Sequence, residues 1–100
     1  MKKLIFIIVI CIFSLKIQAY NLQKSNLNLN YPWGMTWIDS TKLLITEKKT
    51  SRIILFNTSN NTSKIISHQI PVAAWGQGGL LDIISENDNV WVTCSIMKNK

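Results

Sequence analysis

Residues 42–70 read KLLITEKKTSRIILFNTSNNTSKIISHQI, and the fold is decided there. Three short apolar runs rich in isoleucine, KLLITE (42–47), RIILFN (52–57) and KIISHQI (64–70), alternate with two polar stretches, Lys48–Ser51 and NTSNNTS (57–63). Runs this short, β-branched and bounded by turn-forming residues are strands. The Asn, Ser and Thr side chains between them hydrogen-bond their own backbone and so favour turns. Pro71 has no N–H to give to a central ladder and ends the fourth strand.

The pattern extends in both directions. Upstream, GMTWID (34–39) alternates with Met35 and Trp37 on one face, and DST (39–41) turns the chain. Downstream come LLDIISE (80–86), a tight END turn and NVWVTCSI (89–96). Beyond the amino-terminal segment no useful 3.6-residue periodicity occurs. The expectation is an all-β protein built as an antiparallel meander. Its first four strands have the length of one β-propeller blade, and the last two open a second. A self-contained small sandwich or curled sheet fits the same periodicity.

The chain opens MKKLIFIIVICIFSLKIQA: two lysines, a 12-residue apolar run from Leu4 to Leu15 broken only by Ser14, then a polar stretch ending in Ala19. This is the three-part pattern of a secretory signal peptide over residues 1–19, and the run is shorter than the ~20 residues a spanning helix needs. Export to the periplasm or medium of a bacterium is expected, with no integral membrane segment. Cys11 does not mark a lipoprotein, because Ile10 is bulky where a small residue would stand. Removal of the segment takes Lys2, Lys3 and Lys16, leaving 8 basic against 5 acidic residues, a net charge of +3 instead of +6. The remaining basic residues are scattered and form no stripe interleaved with aromatics, which argues against nucleic-acid binding. Cys94 is then left without an intramolecular partner, on the apolar face of its strand. Residues 20–31, YNLQKSNLNLNY, are an Asn-rich extended entry segment.

One local feature asks for an explanation. Three of the four glycines, Gly76, Gly78 and Gly79, crowd into WGQGGLLDI (75–83). Glycine permits positive φ and close approach to the backbone, so the segment is either a sharp turn into a buried strand or the wall of a site. His68, the single histidine, belongs to the fourth strand and is read as structural. One His and one distant Cys give no metal-ligand spacing. Asp82 is read as a turn-anchoring or axis-facing acceptor, Trp75 as packing. Asn57, Asn60 and Asn61 match glycosylation spacing, a signal of little weight in a bacterial protein.

Taken in order, YPWGMTWIDSTKLLITEK (31–48), SRIILF (51–56) and IPVAAWGQGGLLDI (70–83) resemble the opening of the soluble PQQ-dependent aldose sugar dehydrogenases, the glucose/sorbosone dehydrogenase family. The likeness spans about residues 31–95. It implies the amino-terminal portion of a six-bladed propeller over residues 32–100, with blade one at about 32–70 and the start of blade two at about 80–96. It further implies pyrroloquinoline quinone (PQQ) in the axial depression, often with calcium, and oxidation of the C1 hydroxyl of an aldose. Carried over residue by residue, it places Gln77 on the cofactor and substrate pocket, with Gly76 and Gly78 keeping the backbone low beside it. The family's catalytic histidine, basic cofactor ligands and calcium ligands belong to later blades, so no catalytic and no metal residue is assigned. ENDN also replaces the family's longer connection after the Leu-Leu-Asp strand. The 100-residue chain alone is expected to be inactive and prone to self-association. The competing readings are a non-catalytic secreted β-rich binding module and an inactive truncated product.

Overall fold

The computed structural model describes residues 22–97; the signal-peptide reading falls outside them. Six strands follow one another: β1 (Pro32–Trp37), β2 (Lys42–Glu47), β3 (Ile53–Asn57), β4 (Thr62–Ile66), β5 (Leu80–Glu86) and β6 (Asn89–Cys94). The first four pair in sequence order as an antiparallel meander, and β5 and β6 form a second, two-stranded sheet. The described residues contain no helix. The expected all-β meander, with the start of a second blade beside the first, is what the chain forms.

The turns follow from their residues. Asp39 Oδ1 accepts the N–H groups of Thr41 and Lys42, both at 2.8 Å, between β1 and β2. Asn57 Oδ1 accepts the Ser59 N–H at 3.0 Å between β3 and β4. Asn87 and Asp88 both have positive φ, 49° and 66°, as a two-residue type I′ hairpin requires. Strand β1 begins at Pro32, earlier than the pattern indicated. Proline is tolerated there because it is the first residue of an edge strand, next to an irregularity in the ladder between Pro32 and Met35.

Strand β4 departs from expectation at its end. It stops at Ile66 rather than running to Ile70. The His68 ring takes the chain elsewhere: Nε2 lies 2.6 Å from the Ser51 carbonyl, and Nδ1 accepts the Ile70 N–H at 3.1 Å. An acceptor Nδ1 leaves the proton on Nε2, which therefore donates to Ser51.

Blade one has two apolar faces, and each is covered in part. Leu44 and Ile53 pack against Leu80 and Ile83 of β5, with Leu55, Ile66, Val92 and Cys94 around them. On the opposite face Ile45, Ile54 and Phe56 are packed by Leu27 and Leu29 of the entry segment. Polar contacts also join the blades. The fully buried Thr46 hydroxyl accepts the Gly34 N–H at 3.0 Å and donates to the Leu81 carbonyl at 2.5 Å. The Ser85 N–H donates to Thr36 Oγ1 at 3.1 Å. A side chain at Gly34 would put its Cβ 2.9 Å from Asp82 Oδ1 and 3.1 Å from Asp82 Cα, so the approach of β1 to β5 depends on that glycine. Met35 and Trp37 do share a face, but it is an exposed one, as is Trp33 beside them.

Candidate functional site

The glycine segment leaves a short antiparallel contact, in which Ala73 N–H donates to Ser95 O at 2.8 Å, and turns before β5. Gly78 N–H donates to Trp75 O at 3.0 Å, closing a four-residue turn. Gly76, its first central residue, has φ +61°, and Gln77 is not in the positive-φ region. That combination is the type II′ pattern, which requires glycine at the first central position.

The three glycines meet different demands. Nothing lies within 4 Å of a Cβ placed on Gly76, so within the fold it is the turn's positive φ, not a neighbouring atom, that asks for glycine there. At Gly78 a Cβ would fall 2.3 Å from Ser95 Oγ and 3.0 Å from the Ala73 carbonyl. At Gly79, with φ +147°, it would fall 2.2 Å from the Lys48 carbonyl oxygen. Gly79 N–H donates to Ser95 Oγ at 2.7 Å, and Ser95 Oγ donates to Ala73 O at 2.7 Å. Of the two alternatives posed by the sequence, the sharp turn into a buried strand is what the segment forms. Gly78 and Gly79 lead a sharp turn into the fully buried Leu80, while Gly76 and Gln77 form an exposed tip.

The segment rests on the turn between β2 and β3, a contact the sequence did not disclose. Lys48 C=O accepts the Leu80 N–H at 3.1 Å, and Lys48 N–H donates to Tyr31 O at 3.0 Å. The Lys49 ammonium donates to the carbonyls of Gly76 and Gly78, the latter at 3.4 Å. Lys48 is itself buried, with its Nζ 4.3 Å from the Trp33 ring centroid in a cation–π contact.

Beneath that turn lies a buried carboxylate. Glu47 is fully buried; Oε2 accepts the Asn30 N–H at 2.7 Å, and Oε1 accepts the Thr50 hydroxyl at 2.6 Å and Arg52 Nε at 2.7 Å. Burial pushes the carboxyl upward, but the donors from Asn30, Thr50 and Arg52, with the Arg52 charge, outweigh it. The group is held below its ordinary value. Glu47, Lys49, Thr46 and Ser95 are the residues that sequence reasoning missed. The adjacent pair Lys48–Lys49 was visible, yet it read as a polar turn.

The other candidates fall into place around this arrangement. His68 has both ring nitrogens engaged and braces the same β2–β3 turn at Ser51. Asp82 is exposed, and Oδ1 accepts the Ile83 N–H at 2.8 Å. Trp75 is 70% exposed rather than packed. Cys94 is a free, half-buried thiol against the inter-blade core. Asn57, Asn60 and Asn61 each accept a hydrogen bond in or near the β3–β4 turn.

Gln77 stands at the tip of the loop. Its amide has two donors and one acceptor oxygen, it is exposed, and the loop's own hydrogen bonds run through main chain, Ser95 and Lys49. No group of three or more His, Cys, Asp or Glu residues comes together among the described residues. Nor is any helix among them long and apolar enough to cross a membrane.

A family model described as Glucose / Sorbosone dehydrogenase matches residues 29–100, and the chain belongs to that family. The match contains all six strands and the glycine segment. No curated protein and no solved structure matches the chain.

Proposed function

We propose that this member of the glucose/sorbosone dehydrogenase family is an exported bacterial protein that takes part in PQQ-dependent oxidation of the C1 hydroxyl of aldoses, with Gln77 on the wall of the cofactor and substrate pocket. The observation that carries the reading is the exposed Gln77 amide, presented on a loop whose backbone is fixed on both sides. PQQ, when bound, supplies the hydride acceptor. The work of this chain is to bind and orient. Gln77 offers hydrogen bonds to carbonyl or carboxylate oxygens, and Gly76, without a side chain and without a neighbour within 4 Å of its Cβ position, leaves the approach open.

The loop does not supply a base. A glutamine amide has no useful proton affinity near neutrality. His68, the single histidine, is engaged with Ser51 and Ile70. The 100-residue chain on its own is accordingly expected to give no turnover, while the gene product as it occurs in the cell should reduce an artificial dye with added PQQ, calcium and an aldose. The test is that assay across an aldose panel. Dye reduction that needs PQQ supports the reading, and its absence with every sugar in the cell's own gene product overturns it. Turnover by the purified 100-residue chain would overturn the division of labour between Gln77 and a base elsewhere.

A further inference from the structure

The tip of the glycine segment is poor in contacts of its own. Within the turn the Gly78 N–H to Trp75 O bond closes the chain, and both Trp75 and Gln77 are exposed. Two glycines flanking one residue give that stretch unusual backbone freedom. Such a tip would present the Gln77 amide over a wide range of positions.

Lys49 removes that freedom. Its ammonium donates to the carbonyls of Gly76 and Gly78, the residues on either side of Gln77. A lysine ammonium has three donors on a compact charge, so one group can hold both. The turn that carries Lys49 is fixed in turn by its neighbours. Ser51 N–H donates to Glu47 O at 3.1 Å, Leu80 N–H donates to Lys48 O at 3.1 Å, His68 donates to Ser51 O, and the Glu47 carboxylate gathers Asn30, Thr50 and Arg52.

We infer that Lys49 is the positioning residue of the Gln77 loop: by holding the main chain on both sides of Gln77 it fixes where that amide is presented to the cofactor. The inference rests on the reading of Gln77 as a pocket residue. Lys49 acts through the loop and need not touch the ligand. Blade one thereby determines the geometry of a site carried by the connection to blade two.

The experiment compares Lys49→Met, Lys49→Arg, Gln77→Ala and the double variant Lys49→Met/Gln77→Ala in the whole gene product. Amide hydrogen exchange is read without cofactor, and PQQ affinity is read by fluorescence quenching without sugar. In Lys49→Met the Gly78 amide should exchange about tenfold faster, because a charge-assisted anchor is lost, while amides of Leu44, Ile45 and Ile54 keep their rates. PQQ should bind about tenfold more weakly, and Lys49→Arg, whose fork can also reach two carbonyls, should recover most of both effects. The double variant should bind PQQ no worse than Gln77→Ala alone, since the two residues act through one group. An unchanged Gly78 exchange rate in Lys49→Met overturns the inference. So do affinity losses that simply add, which would mean that Lys49 and Gln77 act independently. If Gln77→Ala leaves PQQ binding unaltered, the pocket reading falls, and Gly78 exchange still decides whether Lys49 holds the loop.

Discussion

Replacing Gly76 and Gly79 by alanine, one at a time, should give sharply different losses of stability. At Gly79 the new Cβ would stand 2.2 Å from the Lys48 carbonyl oxygen and 3.0 Å from its carbon, with φ at +147°. A backbone carbonyl cannot rotate out of the way as a side chain would. A non-glycine residue in such a region costs about 1–3 kcal/mol. Moving the chain to relieve the overlap also weakens the Leu80 N–H to Lys48 O bond, now 3.1 Å, worth roughly 0.5–1.5 kcal/mol. Together these give about 2–4 kcal/mol. Gly76→Ala meets no atom within 4 Å and keeps φ near +61°, so it carries only the conformational cost of a side chain at that turn position, about 1–2 kcal/mol. The gap of about 1–2 kcal/mol corresponds to roughly 4–16 °C in Tm for a domain of this size. Thermal unfolding of the two variants followed by circular dichroism is the assay. Equal shifts in the two variants, or a larger one for Gly76→Ala, would refute the claim that Gly79 is required by the β2–β3 turn and Gly76 by the loop tip alone.

Three further outcomes are expected. Glu47→Gln should lower stability by about 1.5–3 kcal/mol, because one accepting oxygen becomes an NH2 group that cannot receive the Asn30, Thr50 or Arg52 donors; Arg52, half-exposed at 40% of its side chain, keeps access to water, which limits the loss. The folded carboxyl lies below its reference value of 4.5, so its contribution is complete above that pH and is lost as pH falls through the folded value. Tm measured against pH should therefore drop on acidification in the wild type more steeply than in Glu47→Gln, and parallel curves would count against the network. Gln77→Ala, an exposed change, should leave Tm within about 0.5 kcal/mol equivalent while weakening PQQ or aldose binding; unaltered binding and kinetics would make the segment a turn only. Mass spectrometry of the exported protein should find an amino terminus near Tyr20, whereas an intact Met1 on cytoplasmic protein would contradict the signal peptide.

Strand positions could be read from the sequence because their causes are local. Isoleucine-rich runs and Asn, Asp and Ser at the turns act within a few residues of themselves, and the Asn87–Asp88 hairpin formed where END indicated. The end of β4 could not be read in this way. Ile66 and Ile70 fall on one alternating face with His68 between them, and the His68 ring bonds instead to Ser51, 17 residues back along the chain. The exposed stripe of Trp33, Met35 and Trp37 also defied a simple alternation rule. On β1 the small residues Gly34 and Thr36 face the neighbouring sheet, because close approach to β5 matters more there than apolar bulk.

The site divides along the same line. A glycine cluster can be recognised as a place of positive φ or close approach, but local pattern does not assign each glycine to one of the two. That assignment depends on Lys48 and Ser95, which reach the segment from different strand ends. Lys49 was harder still, since a lysine in a polar turn ordinarily points into water, and its partners lie 27 and 29 residues downstream. Glu47 was concealed for a related reason. A glutamate at a strand end reads as solvated until Asn30, Thr50 and Arg52 are seen to surround it. Lys49 bonds main chain across the join between blade one and the glycine segment, while Glu47 braces the turn that carries it through Asn30, Thr50 and Arg52. Apolar periodicity specifies how each blade is built; the polar contacts at the β2–β3 turn specify how the Gln77 loop sits on it. A substitution in that turn should accordingly alter ligand affinity while the strands themselves persist, whereas a core change such as Ile45→Ala, at a side chain 1% exposed, should destabilise blade and loop together by about 2–5 kcal/mol.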